Sequence, residues 1–343
     1  MMSSLSGPLW KRIGEESLWG RRGIIKVNLL WLPLAVALFH KSAETRQNGA
    51  AVSFQVFLAA VFWLSASILA NNLGDCRDDR AAGKPRWVCG LPRGAGAAVV
   101  VLLIGAGFAV LYFSKSPAAA KGIYAGAVAL GLAYSVRPFR FKERGAWGIF
   151  IYSLACACVY AILPLVWLKG NPAAFFFLAP AVLLDKWVNL HFHQVVDYEA
   201  DRARGVGTLA VELGMTRARR WLKGCAGVAS LWLLLALVYS ASFLPRILGY
   251  VFFGGSAIVL LLVVYISLRR SSFLSLSIFR RELPLFYLAL TYIVFRLLPF
   301  LLFFVLALQE KFLWTVFGIS LVLVALESRL LLGTSPHNLI SSK

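Results

Sequence analysis

The chain has 343 residues, 60% of them hydrophobic and 15% charged, with a mean hydropathy of +0.76 and a net charge of +20. So apolar a composition excludes an ordinary soluble domain and describes a polytopic membrane protein. In a soluble protein +20 would suggest nucleic acid, but cationic residues gather in the cytoplasmic loops of membrane proteins, so here the excess reads as topology and no nucleic-acid partner is expected.

Residues 1–23 mix Trp10, Lys11, Arg12, Leu18, Trp19, Arg21 and Arg22, which predicts a segment lying in the lipid interface. No charged region followed by a short apolar core and a cleavage site is visible, so no removable signal peptide is expected. A single transmembrane domain is predicted over 24–332. Its candidate spans are 24–40, 50–72, 95–113, 117–134, 147–168, 173–196, 221–243, 247–268, 285–308 and 313–332. Most approach the roughly 20 residues that cross about 30 Å of hydrocarbon, which gives an all-α bundle of nine or ten helices. The first half covers about 24–135 and the second about 146–268, with extra C-terminal helices over 285–332 and a tail over 333–343.

Alternating these spans from a cytoplasmic N-terminus places 26 basic residues on the cytoplasmic side and seven on the other. That asymmetry supports the ten-span arrangement and an integral protein of a bacterial inner membrane. The five cysteines are too few and too irregular for a disulfide framework. Cys156 and Cys158 lie two apart in an apolar run, point to different helix faces and read as packing residues.

Acidic residues are scarce, 15 in all, yet six of them fall in two short stretches. Asn71-Asn72-Leu73-Gly74-Asp75-Cys76-Arg77-Asp78-Asp79-Arg80-Ala81-Ala82-Gly83-Lys84 follows the apolar run 51–70. Asp197-Tyr198-Glu199-Ala200-Asp201-Arg202-Ala203-Arg204-Gly205 repeats its Asp, Asp, Arg, Ala and Gly at an offset of 122 residues. Four spans separate the two. An even number gives both halves the same orientation, so they form parallel repeats about an axis normal to the bilayer, and such an axis brings the two stretches face to face.

Carboxylates four apart on a helix share a face, so Asp75 with Asp79 and Asp197 with Asp201 each form a two-oxygen claw. Four such groups near lipid require cations. Hard oxygen donors suit Mg2+, which takes one or two protein carboxylates and fills its remaining positions with waters and substrate phosphates. Asn71 and Asn72, one turn earlier, add carbonyl oxygens or hold the carboxylates. A facing pair of claws would grip a diphosphate through bridging metals. Asp78 and Glu199 fall off the claw face.

Along span 173–196, Lys186, Asn189, His193 and Asp197 are spaced three, four and four, flanked by Asp185 and Gln194. Of these, Asp185, Asn189, His193 and Gln194, with Arg296, are the candidates for an acceptor pocket, set against a purely structural pairing of Asp185 with Lys186 or Arg296. The cluster Tyr134-Ser135-Val136-Arg137-Pro138-Phe139-Arg140-Phe141-Lys142 supplies cations that, with Lys84 and Arg86, would neutralise phosphate oxygens.

Asn71-Asn72-x-x-Asp75-x-x-x-Asp79 resembles the first aspartate-rich motif of the UbiA superfamily of intramembrane prenyltransferases. Asp197-x-x-x-Asp201, followed by Gly205, Thr208 and Val211-Glu212-Leu213-Gly214, resembles the second, and the stretch from Tyr134 to Lys142 resembles the Tyr and basic loop between them. The likeness covers about residues 20–310. Asn72 stands where that family usually has Asp, His193-Gln194 occupy the Asn-Asp positions of the second motif, and the run Pro85-Arg86-Trp87-Val88-Cys89-Gly90-Leu91-Pro92 lacks the usual ending. The resemblance implies a Mg2+-dependent enzyme that takes an isoprenoid diphosphate from lipid. Asp75, Asp79, Asp197 and Asp201 would hold metal, and a hydrophobic acceptor would capture the prenyl cation. A membrane terpene cyclase and a phosphoribosyltransferase acting on a lipid phosphate share that chemistry. An ion-coupled transporter is the alternative from another class.

Overall fold

The structure is a computed structural model that describes residues 27–41, 46, 48–81, 86–268 and 283–322. Its main helices in chain order are α1 (Trp31–Phe39), α2 (Gly49–Gly74), α3 (Cys76–Ala81), α4 (Arg93–Phe113), α5 (Ala118–Ser135) and α6 (Gly145–Trp167). After these come α7 (Pro172–Val196), α8 (Tyr198–Ala203), α9 (Leu209–Leu213), α10 (Met215–Ala241), α11 (Arg246–Leu268) and α12 (Leu285–Gln309). There is no β-strand among the described residues. With few waters available, a chain in lipid must satisfy its backbone within each segment, and helices do this.

Local chemistry sets the helix ends and irregularities. The side chain of Asn171 accepts the Ala173 N–H at 2.9 Å and Pro172 supplies the first turn, so α7 starts at a capped, pre-formed N-terminus. α6 widens into a π-turn at Cys158–Ile162 and α12 into another at Ile293–Leu297, each two residues ahead of a proline, Pro164 and Pro299. Proline removes a backbone donor and crowds the preceding turn, and a π-turn absorbs that misfit without breaking the helix.

The halves repeat. Shifting α3 by 122 residues gives 198–203, the bounds of α8, and the start of α4 becomes 215, the start of α10. α2 shifted in the same way overlays α7 from its second residue onward. α2 packs on α4 and α5, and α7 packs on α6 and α10. Both repeats therefore deliver their acidic stretch from the C-terminal end of a long apolar helix.

Among the described residues six helices, α2, α6, α7, α10, α12 and Gly94–Phe113 within α4, are long and apolar enough to cross a membrane. Asn28–Phe39 and Arg246–Leu262 are apolar but shorter. Against the nine or ten spans expected from hydropathy, the described residues thus hold six helices of full crossing length and two shorter apolar ones. Half of the expected final span, 313–332, lies outside the described residues, as do the interfacial segment 1–23 and the tail. α1 is buried from Trp31 to Leu38 and forms part of the core. α4 and α11 instead expose Val101, Leu102, Phe113, Ile247, Tyr250 and Leu261, apolar surface suited to lipid contact.

Helix α12 belongs to the core, with Tyr287, Leu290, Phe295 and Phe303 fully buried. It is fastened to α7 by a polar tie. The Tyr287 hydroxyl donates to Asp185 Oδ1 at 2.8 Å, and Lys186 Nζ lies 3.1 Å from Asp185 Oδ2. Asn189 Nδ2 donates to the Asp185 carbonyl oxygen at 2.8 Å. Asp185 is 1% exposed, so Tyr287 and Lys186 stabilise a charge that lipid and apolar side chains could not.

Two stability outcomes follow. A Cβ at Gly74 would lie 2.8 Å from the Ser135 carbonyl oxygen, a backbone atom that cannot swing aside. Gly74→Ala should therefore destabilise the detergent-solubilised protein by about 1–3 kcal/mol, seen as a lowered Tm. Tyr287→Phe leaves Asp185 short of a donor and should cost about 1–3 kcal/mol in the same assay. Pairing it with Asp185→Asn should recover part of that loss.

Candidate active site

α2 stops at Gly74, and the Asp75 N–H still reaches back to the Asn71 carbonyl at 3.0 Å. The Asp79 N–H donates to the Asp75 carbonyl at 2.8 Å. The second stretch copies this geometry: Asp197 N–H to His193 O and Asp201 N–H to Asp197 O, each 2.9 Å. Helical bonding thus persists across each helix end and puts the paired carboxylates one turn apart on one face. All four line a single cavity of about 250 Å³, together with Asn71, Tyr134, Arg140, Lys142, His193 and Gln194. The two acidic stretches meet at the same end of the bundle.

The basic loop between α5 and α6 is folded onto both stretches. Gly145 takes a left-handed backbone (φ 50°), donates its N–H to Gly207 O at 2.9 Å and leaves no room for a Cβ beside Glu212. This pins the loop to the chain that follows Asp201. On its other side, Lys142 reaches Asn71 Oδ1 at 3.1 Å and contacts Asp75 Oδ1. Arg140, itself in a left-handed conformation uncommon for a side chain of its size (φ 38°), sits 3.2 Å from Asp75 Oδ1 and 2.7 Å from Glu143.

Cations hold three of the four carboxylates. Asp75 has Lys142 and Arg140; Asp79 has Arg86, at 2.9 Å; Asp201 has Arg204, at 2.8 Å. Asp197 makes no ion pair among the described residues and is exposed. Burial lowers the pKa of Lys142 from its ordinary value, opposed by Asp75 and reinforced by Arg140. Burial likewise raises that of Asp201; Arg204 opposes the rise and Asp197 adds to it. Among the described residues, no three His, Cys, Asp or Glu side chains converge as a ready-made metal cage.

Several expected residues lie off the cavity wall. Asn72 is fully buried behind it, Arg137 is exposed on the loop, and Arg86 acts through Asp79. Asp185 and Asn189 form the tie to Tyr287, and Arg296 donates to the Phe295 carbonyl oxygen at 3.2 Å within the π-turn of α12. Of the acceptor candidates, His193 and Gln194 line the cavity. Lys84 and the side chain of Asp78 lie outside the described residues, and Glu199 is exposed. The wall also includes Glu143, Leu190, Arg204 and Val206, which were not singled out. Arg204 stands three residues after Asp201, a spacing that pairs side chains on a helix and was open to reading. One disulfide, with Cα atoms 5.4 Å apart, joins Cys76 to Cys89, whereas Cys156, Cys158 and Cys225 are free. This is one local bridge rather than a framework, made possible by the return of the chain at Trp87–Gly90.

Comparison with known proteins gives the arrangement a family. A UbiA homologue from Archaeoglobus fulgidus, solved bound to GPP and Mg2+, superposes with a TM-score of 0.55 at 17% identity, covering 85% of this chain and 99% of that one. A structure of digeranylgeranylglyceryl phosphate synthase gives 0.58 at 15% identity over 85% and 98%. The apo UbiA homologue from Aeropyrum pernix K1 gives 0.57 at 17% over 80% and 95%. At these identities the likeness establishes the fold. No curated protein matches the chain. The sequence model of the UbiA prenyltransferase family matches residues 90–275, more than half of the length, and on that match the chain belongs to the UbiA prenyltransferase family.

Proposed function

We propose that the protein is a Mg2+-dependent intramembrane prenyltransferase that moves an isoprenoid chain from its diphosphate to a hydrophobic acceptor. We place its active site at the cytoplasmic face of a bacterial inner membrane. The observation that carries this reading is the single cavity lined by Asp75, Asp79, Asp197 and Asp201 from two repeats, with Arg140 and Lys142 in its wall. The printed ligands of the Archaeoglobus homologue, GPP and Mg2+, support the donor class and the metal.

The donor set fits that metal. Two carboxylates from each repeat, with Asn71 beside them, offer hard oxygens, and a small divalent ion that keeps waters and substrate phosphates needs no cage of three protein acids. When bound, the ion supplies positive charge to the departing pyrophosphate. The chain's own groups do the rest. Lys142 and Arg140 are poised to exchange a carboxylate partner for phosphate oxygens, and Arg204 and Arg86 are placed to do the same around Asp201 and Asp79. The allylic C–O bond breaks with its electron pair leaving on pyrophosphate. The acceptor then forms the new bond to the allylic carbon and gives up a proton. Stabilising charge that develops on a leaving group is typically the largest catalytic contribution.

Asp75→Ala and Asp201→Ala should each lower Mg2+-dependent pyrophosphate release from a prenyl diphosphate about a hundredfold or more at matched expression. Wild-type rates in either variant would remove the carboxylates from the reaction. A cyclic hydrocarbon or alcohol formed without added acceptor would reassign the chain as a cyclase, and ion flux without pyrophosphate release would make it a transporter.

A further inference from the structure

A second cleft, of about 640 Å³, opens at the same end of the bundle, between the end of α2, helix α3, the turn at Trp87–Gly90 and Leu91 at the approach to α4. Its floor is apolar, made by Leu73, Val88 and Leu91, and its wall carries Arg77 and Arg80 beside the Cys76–Cys89 disulfide. Helix α3 therefore has two faces. Asp75, at its entrance, and Asp79 line the catalytic cavity, and Arg77 and Arg80 line this cleft instead. Both arginines are exposed. Arg80 donates to the Cys89 carbonyl oxygen at 3.2 Å, and neither arginine forms an ion pair among the described residues. Two guanidiniums lie over an aliphatic floor where one apolar helix ends and the next begins, and basic groups at such helix ends are drawn to anionic lipid headgroups. Guanidinium forks match phosphate oxygens, and the floor matches the first carbons of an acyl chain.

We propose that this cleft is a binding site for the phosphate of an anionic phospholipid, separate from the catalytic cavity. The turn at Trp87–Gly90 folds back beside α3 to form the second wall, and Arg77 and Arg80 supply the contacts to the phosphate. A free phosphate ester would find the same guanidiniums but gain nothing from Leu73, Val88 and Leu91, so the commitment is to a lipid.

Native mass spectrometry of the full-length chain in detergent, titrated with phosphatidylglycerol or with phosphatidylcholine of the same acyl chains, tests this. Phosphatidylglycerol should bind preferentially at one saturable site, and Arg77→Gln with Arg80→Gln should weaken it about twenty- to thirtyfold, at about 1 kcal/mol for each basic residue near the surface. Arg220→Gln, an exposed arginine on α10, should leave it unchanged. Glycerol 3-phosphate at equal concentration should not displace the lipid. Equal retention of the two lipids, wild-type binding by the double variant at an unaltered Tm, or displacement by glycerol 3-phosphate would each overturn the proposal. If the double variant is unstable, Arg77→Glu alone provides the same test, since a reversed charge should abolish the preference.

Discussion

Three of the four carboxylates around the cavity, Asp75, Asp79 and Asp201, are largely shielded from water and have to be neutralised, and the architecture around the cavity follows from that requirement. An unpaired buried charge costs several kcal/mol, and the cost grows where neither water nor a partner is near. Three segments answer it: Arg86 after α3, the loop carrying Arg140 and Lys142, and Arg204 at the end of α8. Each cation comes from a loop next to the repeats rather than from a spanning helix. The site is thus assembled at the water interface, where long basic side chains can change partners when a ligand arrives, while the apolar helices below stay fixed.

The duplicated architecture explains why the acids meet. Two helices of equal orientation, α2 and α7, end at one depth, and each hands over to a short helix of identical length bearing the second acid. The halves are not equivalent in their supports. The first repeat is braced by the Cys76–Cys89 bridge and the Arg86 pair. The second is braced by the backbone contact of Gly145 with Gly207. The basic loop joins the two, bonded to the second half through backbone and to the first through Lys142 and Arg140. Movement of that loop would therefore be felt by both pairs of acids.

A different polar group holds the bundle together at depth. Asp185, Lys186, Asn189 and Tyr287 satisfy one another between α7 and α12. This makes α12, which lies beyond the matched family region, part of the core rather than an appendage. It also gives Asp185 and Asn189 a structural occupation, while His193, one turn beyond Asn189 and two beyond Asp185, and its neighbour Gln194 face the cavity.

How much of this was legible in the sequence depended on whether the signal was local. The helices, the paired carboxylates and the 122-residue repeat come from hydropathy, i to i+4 spacing and identity at matched offsets, all of which are properties of neighbours along the chain. Even the shared face of the two acidic stretches followed from counting spans. Which cations serve Asp75 did not, because Lys142 and Asp75 are 67 residues apart and meet only through Gly74, Gly145 and a loop whose path no periodicity encodes. Nor did the bond from Asp185 to Tyr287, 102 residues away, or the bridge from Cys76 to Cys89. Residue type fixed that charge must be paired in lipid; only the packing of helices distant in sequence decided with what.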